Sequence, residues 1–334
     1  MSALAILHPM NLVAKELRET LGRGMEGLGG HEVRLLTTVE AEIGALTEVG
    51  SAAAIVQRYE PGSLAGVAVA FLCGGIAANR PILAALPEEV TAVVLSPDAA
   101  SGDGAPVVAG INSRPAGARV LLSPHPAVVA LAHLLKPLAA AFPVHQAVAT
   151  IVQPASLHDG AGIDELFEQT RQVVAMTPRR RGTVFGAQLA FNLLPGAGGE
   201  EAVRRIETQL AAVLADPGAA SALSPAPSPT SAGPPPVAIQ LLQGPIFHCL
   251  TLSLHVRCAG TPSAQAVRKA IAASPYVELA KDTRHLGPID AAASDRVLLG
   301  AVHQDAEGYW LWAAMDNLTR GGALNALEIA AAVH

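Results

Sequence analysis

Short runs of Val, Ile, Leu and Ala alternate with helical stretches through the first part of the chain. Residues 3–7 (ALAIL) read as a buried strand, Pro9 and Asn11 mark a turn, and a helix follows from about Leu12 to Leu21. Further apolar runs occur at 31–38 (HEVRLLTT), 52–59 (AAAIVQRY), 67–75 (VAVAFLCGG), 91–97 (TAVVLSP) and 118–124 (ARVLLSP). Near-continuous apolar strands separated by helices are what a parallel sheet covered on both faces requires, because neither side of such a strand meets water. Residues 1–122 are therefore predicted to form an α/β domain, a Rossmann-like doubly wound parallel sheet of nucleotide-binding type.

The pattern changes after residue 122. A wholly apolar helix is predicted from Pro126 through AVVALAHLLKPL, followed by longer runs with period-two alternation, VHQAVATIVQ and IFHCLTLSLHVRC. Residues 123–316 are predicted to form an α+β domain, an antiparallel sheet with helices on one face. Residues 216–236 are a Pro/Ala/Ser tract with almost no charge, predicted to be a mobile surface loop because little in it offsets the entropy of ordering. The last segment, 317–334, carries an amphipathic pattern in NALEIAAAVH and is predicted to be a helix that packs back on the first domain.

Composition narrows the partners. Of 334 residues 51% are hydrophobic, 15% charged and 3% aromatic, with a net charge of -6, so the basic patch and stacking rings of a nucleic-acid binder are missing. Apolar runs are broken well short of the roughly 18 residues a membrane span needs, and the first residues lack the basic start of a secretion signal. A cytoplasmic protein with no membrane or nucleic-acid partner is expected. Cys73, Cys249 and Cys258 have no metal-binding spacing and read as buried reduced thiols.

Several phrases carry a resemblance to a known family. DNLTRGGALNALEIA (316–330) resembles DNLRKGAALNAVQIA of the aspartate-semialdehyde dehydrogenases. AFNLLP (190–195), HQAV (145–148), GIDELFEQT (162–170), LKPL (135–138) and the pair Gly74–Gly75 follow in that family's order. The resemblance implies a Rossmann-like domain joined to a semialdehyde dehydrogenase dimerisation domain. It also implies an NADP-dependent, phosphate-linked reaction in amino-acid biosynthesis, in which a cysteine thiolate attacks a carbonyl and a histidine handles protons.

The residues that would do this chemistry are changed. Where the family has its nucleophilic cysteine the chain reads Ser123-Pro124-His125-Pro126, placing Pro126 at the cysteine position, with no nucleophilic atom. The resemblance puts Gln243 at the arginine that clamps the substrate carboxylate, and Leu250 at the base histidine. A neutral amide cannot reproduce a bidentate guanidinium. Gln146 is read as the one polar active-site position retained. In the dinucleotide turn, His8, Asn11 and Ala14 replace three glycines, and Thr37 to Glu40 offer no cation to a 2′-phosphate. Arg204 or Arg205 falls near the phosphate-site lysine, with a solvated surface charge as the simpler reading.

Loss at so many positions points to a catalytically inactive homologue with a structural, regulatory or ligand-binding role. No cofactor is then expected, and NADP only if the family function persists. Its partners would be a second copy, an active paralogue, or a small molecule in the interdomain cleft held by Gln146 and His125. The alternative is an active dehydrogenase with a relocated site, using Cys249 as nucleophile and His248 or His125 as base. On that reading His248 and Leu250 share one face of a strand and Cys249 points the other way.

Overall fold

A computed structural model describes residues 3–25, 27–177, 182–196, 198–215 and 234–333. Most of the predicted loop 216–236 lies outside them; only its last three residues are described. The first sheet is built from β1 (Ala3–Leu7), β2 (Glu32–Thr37), β5 (Gln57–Arg58), β6 (Val67–Leu72), β7 (Thr91–Val94), β8 (Ala105–Pro106) and β9 (Val120–Leu122). Their order is β5-β2-β1-β6-β7-β9-β8, and every pairing is parallel.

Alternation along each strand explains why both faces are covered. Leu4, Ile6, Leu35, Phe71, Val93 and Leu121 face one side, where α1 (Leu12–Gly22) and the last helix, α8 (Asn325–Val333), lie. Ala5, Leu7, Leu36, Ala70, Leu72 and Val94 face the other, against α2 (Ile76–Ala84). The chain moves outward from β1 to β2 and β5, then returns to place β6 on the opposite side of β1. That reversal opens a crevice at the carboxyl ends of β1 and β6, the place where ligands bind in open α/β sheets.

The apolar run at 52–59 is only partly a sheet strand. β3 (Leu46–Val49) and β4 (Ala52–Ile55) pair antiparallel as a separate ribbon, and only β5 joins the sheet. A two-residue turn with Gly50 at φ 60° closes the ribbon. Ala52–Ile55 is mostly exposed, and only Ala54 packs against the core, so the ribbon lies on the sheet's surface rather than within it.

The second sheet holds β10 (Val144–Gln153), β11 (Leu194–Pro195), β12 (Val237–Gln243), β13 (Leu250–Cys258), β14 (Val277–Leu279), β15 (Val297–Gln304) and β16 (Tyr309–Met315). It is mixed rather than antiparallel: β10 runs parallel to β12 and β14 to β15, in the order β11-β12-β10-β13-β16-β15-β14. Its inner face packs on α3 (Pro126–Ala141), α5 (Gly199–Ala215) and α6 (Ala264–Ile271). Nearly the whole circumference of α3 is apolar and buried, as a helix enclosed on all sides must be. α4 (Asp159–Val174) and a single turn, α7 (Pro288–Ala291), complete the helices named here. Among the described residues no helix is long and apolar enough to cross a membrane.

The phrase DNLTRGGAL builds the junction between the sheets. Asp316 Oδ1 accepts the Leu318 and Thr319 amides, and its Oδ2 accepts the Ala293 amide. Thr319–Leu324 forms a π-helical segment leading into α8. A Cβ on Gly321 would come within 2.9 Å of the Pro126 ring, and one on Gly322 within 2.7 Å of Val13, so both glycines allow close approach of α3 and α1. Asn325, fully buried, accepts the Ala109 amide and donates to Val107 O and Ser123 Oγ.

Candidate active-site cleft

A cleft of about 520 Å³ opens at the switch between β1 and β6. Its walls come from the turn after β1, the loop from Cys73 to Gly75, the turn between β9 and α3, residues 156–159, and the junction segment with Gly321 and Gly322. The topology thus brings His8, Asn11, Gly74, Gly75 and Pro126 together at one opening. Ala14 is buried in the core beside it.

His8 occupies the first position of the would-be phosphate turn with φ 54°, a conformation that favours glycine. Its ring lies over Gly74, where a Cβ would come within 2.5 Å of it, and its Nε2 is buried without a hydrogen-bond partner. Burial lowers the His8 pKa, outweighing the pull of Glu42. Asn11 caps α1: its Oδ1 accepts the Ala14 amide at 2.8 Å and its Nδ2 donates to Cys73 O across the switch point.

At three helix N-termini around this region, those of α1, α2 and α3, an amide is taken by one of the chain's own side chains, whereas α4 starts at Asp159 without a side-chain cap. The Leu12 amide at the start of α1 donates to Asp159 Oδ1 at 2.8 Å, and the Ile76 amide at the start of α2 donates to Asp98 Oδ1 at 3.1 Å. The Ala127 amide of α3 donates to His125 Nδ1 at 3.1 Å. Free amides at helix starts are the donors an anion or thiolate would use.

His125 is buried behind the cleft wall, and its tautomer follows from its contacts. With Nδ1 accepting, a neutral ring carries its proton on Nε2, which meets the Gln153 side-chain amide at 3.2 Å, a contact satisfied when the amide turns its oxygen to the ring. Burial, and then the nearby Arg205 guanidinium, hold the His125 pKa down to about 3. The one lone pair a base would need is spent on the helix. Replacing His125 by Ala is expected to cost about 1–2 kcal/mol by removing this cap and its packing. Urea denaturation of the variant checks it, and an unchanged midpoint would show that α3 needs no cap.

Several sequence-based positions move. Gln146 is exposed near the start of β10 and lines a separate depression with Glu207 and Leu210, away from the residues that line the cleft. Gln153, seven residues and about 23 Å further along the strand, is the glutamine beside His125. Gln243 and Leu250 do not share a strand: Gln243 ends β12 and Leu250 begins β13. Gln243 is buried, donating through Nε2 to Gln153 O at 3.0 Å and meeting His158 Nε2 at 3.3 Å, while Leu250 is core.

The bend at 244–249 also separates His248 from the strand, leaving it exposed. Cys249, at φ 69°, is fully buried in a different apolar cluster from Leu250, among Leu286, Ala291 and Leu298, so the two point apart as expected; its amide donates to Asn317 Oδ1 at 2.9 Å. Burial and Asp316 push its thiol well above the ordinary range, away from a thiolate. Cys249, His248 and His125 are not among the residues that line the cleft. Arg204 points outward to Glu200 at 3.2 Å, and Arg205 turns inward, half-buried. Asp159 and Asp98 were missed, because a cap offered by a residue 147 or 22 positions away leaves no periodic trace.

The lining does not fit a dinucleotide. Glu42, Asp98 and Asp159 face the cleft, no Lys or Arg lies among the described lining residues, and Asp159 sits on the amide where a pyrophosphate would rest.

Comparison with known proteins places this geometry. Residues 135–320 match the semialdehyde dehydrogenase dimerisation-domain family. The USG-1 protein homolog of Azotobacter vinelandii is 30% identical over 218 residues, 62% of this chain and 60% of that protein. Aspartate-semialdehyde dehydrogenase 2 of Vibrio cholerae is 28% identical over 223 residues, 63% and 60% of the two chains. The match thus spans about three fifths of these relatives' length. The structure of a probable aspartate-semialdehyde dehydrogenase from Pseudomonas aeruginosa superposes with a TM-score of 0.83 at 23% identity, covering 98% of this chain and 97% of that one. The chain belongs to the aspartate-semialdehyde dehydrogenase family, through its semialdehyde dehydrogenase dimerisation domain.

Proposed function

We propose that this chain is a catalytically silent member of its family, with a structural, regulatory or ligand-binding role. The observation that carries the reading is the start of α3: Pro126 stands at the first helical position on the cleft wall, and His125 closes the helix end behind it. A thiolate there would need both a sulfur atom and unclaimed amides, and the chain offers neither. NADP, which the family reaction uses, meets an acidic lining, so no cofactor is assigned.

The test is an assay for reduced nicotinamide with aspartate semialdehyde, phosphate and NADP. No turnover is expected from the protein or from Pro126→Cys, because Gln243, Leu250 and the His125 cap remain. Measurable turnover by the unaltered protein would overturn the reading and favour a relocated site in an NADP-dependent dehydrogenase.

The same proposal divides the chain at residues 122 and 316, with 317–334 serving the first domain, and assigns assembly to the second. Its support is the outer face of the second sheet, where Val148 of β10 and Trp310 of β16 stand exposed on either side of His255 of β13. The partner would be a second copy or an active paralogue, which co-expression followed by light scattering distinguishes. A cytoplasmic location suits three cysteines that are all unpaired.

A further inference from the structure

We propose that the cleft is a binding site for a small organic cation, a primary amine carried on an apolar body. This rests on the reading of the chain as catalytically silent, and deepens it by naming the ligand chemistry. Donors that would meet a nucleotide are taken at the turn after β1 and after β6: the Leu12 and Ile76 amides donate to Asp159 and Asp98, and Asn11 Nδ2 donates to Cys73 O. Acceptors are left over. Asp159 receives one amide on Oδ1, and Glu42 receives the Thr37 hydroxyl on Oε2 at 2.7 Å, so each keeps further lone pairs. A ligand entering this wall must therefore bring donors, and an ammonium group has three and no acceptor.

A second observation points the same way. The His8 imidazole, only 6% exposed, lines the cleft with its Nε2 unpartnered, and burial favours the neutral ring, which keeps one nitrogen able to accept. Arg80, whose charge interacts with Asp98, is held by Asp103 at 2.8 Å and does not line the opening. Among the described residues no three His, Cys, Asp or Glu side chains could hold a metal ion, so the carboxylates do not form a metal cage. The same cleft is lined by Val13, Val39, Leu95 and Leu318, which suit an aliphatic stem.

Calorimetry at low salt with three probes of equal length tests this: hexamethylenediamine, hexanediol and adipate. The diamine is expected to bind about tenfold or more tightly than the diol, with no heat from adipate and weaker diamine binding as salt rises. Glu42→Gln and Asp159→Asn should each weaken the diamine about three- to tenfold, whereas Asp282→Asn on the distant surface should not. Glu42 caps no helix, so its variant reads the site even if Asp159→Asn disturbs α1. Equal binding of diamine and diol, or equal weakening by Asp282→Asn, would overturn the proposal. Dehydrogenase turnover would refute catalytic silence and leave this titration to be judged by its own result.

Discussion

Lowering the pH from about 7 to about 5.5 is expected to remove roughly 3 kcal/mol of stability, through two buried histidines that fold in their neutral form. Burial and Arg205 hold the His125 pKa down to about 3, and burial and Arg320 hold that of His133 well below its ordinary 6.5. A histidine depressed in the folded state takes up its proton more readily when unfolded. Its contribution is intact above 6.5, then falls by about 1.4 kcal/mol per pH unit until the folded pKa is reached. His8, lowered by burial, adds to the loss in the same direction. Urea midpoints measured across this range check the sum, and a flat profile would mean that the rings stay accessible to protons.

His133 also separates the contributions. It is fully buried, stacks on Tyr276 with ring centroids 4.6 Å apart, and leaves both ring nitrogens without partners. His133→Phe is expected to keep the stacking, raise stability at neutral pH by about 1 kcal/mol, and cut the acid loss by about half.

The second large effect is expected at Arg320, which lies over the ring of the same tyrosine. Its guanidinium lies 5.1 Å from the Tyr276 ring centre and is bidentate to Glu328, at 2.9 and 2.6 Å. Arg320 is 2% exposed and Glu328 26%, so removing the cation strands a mostly desolvated carboxylate. Arg320→Met should cost about 3 kcal/mol, at the lower end for a broken buried pair because Glu328 keeps some contact with water. Adding Glu328→Leu should recover most of it, since replacing both charges removes the stranded group. A loss under about 1 kcal/mol in the single variant would show that water reaches Glu328 readily.

The elements read most securely from sequence are those whose identity is set locally. Residues 3–7 and 67–72 are uninterrupted apolar runs of strand length, 91–94 is apolar after Thr91, and α3 is apolar around nearly its whole circumference. Where the outcome depends on a distant partner, periodicity failed. Ala52–Ile55 resembles a sheet strand in composition, yet the turn at Gly50 folds it onto Leu46–Val49. Ile246 to Cys249 extend an alternating pattern, but the left-handed backbone at Cys249 ends it before β13 starts. Gln146 and Gln153 lie on one strand, and nothing local shows which end of it approaches α3. The absence of a nucleophile at Pro126 was legible residue by residue; the carboxylates of Asp159 and Asp98 on the α1 and α2 amides were not.

The capped helix ends have a consequence for reversibility. Each cap stabilises the empty protein by about 1 kcal/mol, so stripping Asp159, Asp98 and His125 to expose the amides would draw about 3 kcal/mol from the 5–15 kcal/mol typical of a folded domain. That loss precedes any gain from a ligand, and a cysteine restored at position 126 recovers none of it. On the proposed reading of a silent chain, turnover would need the ligand, the nucleophile and the uncapped amides to arrive together, which would make silence a one-way step rather than a pause.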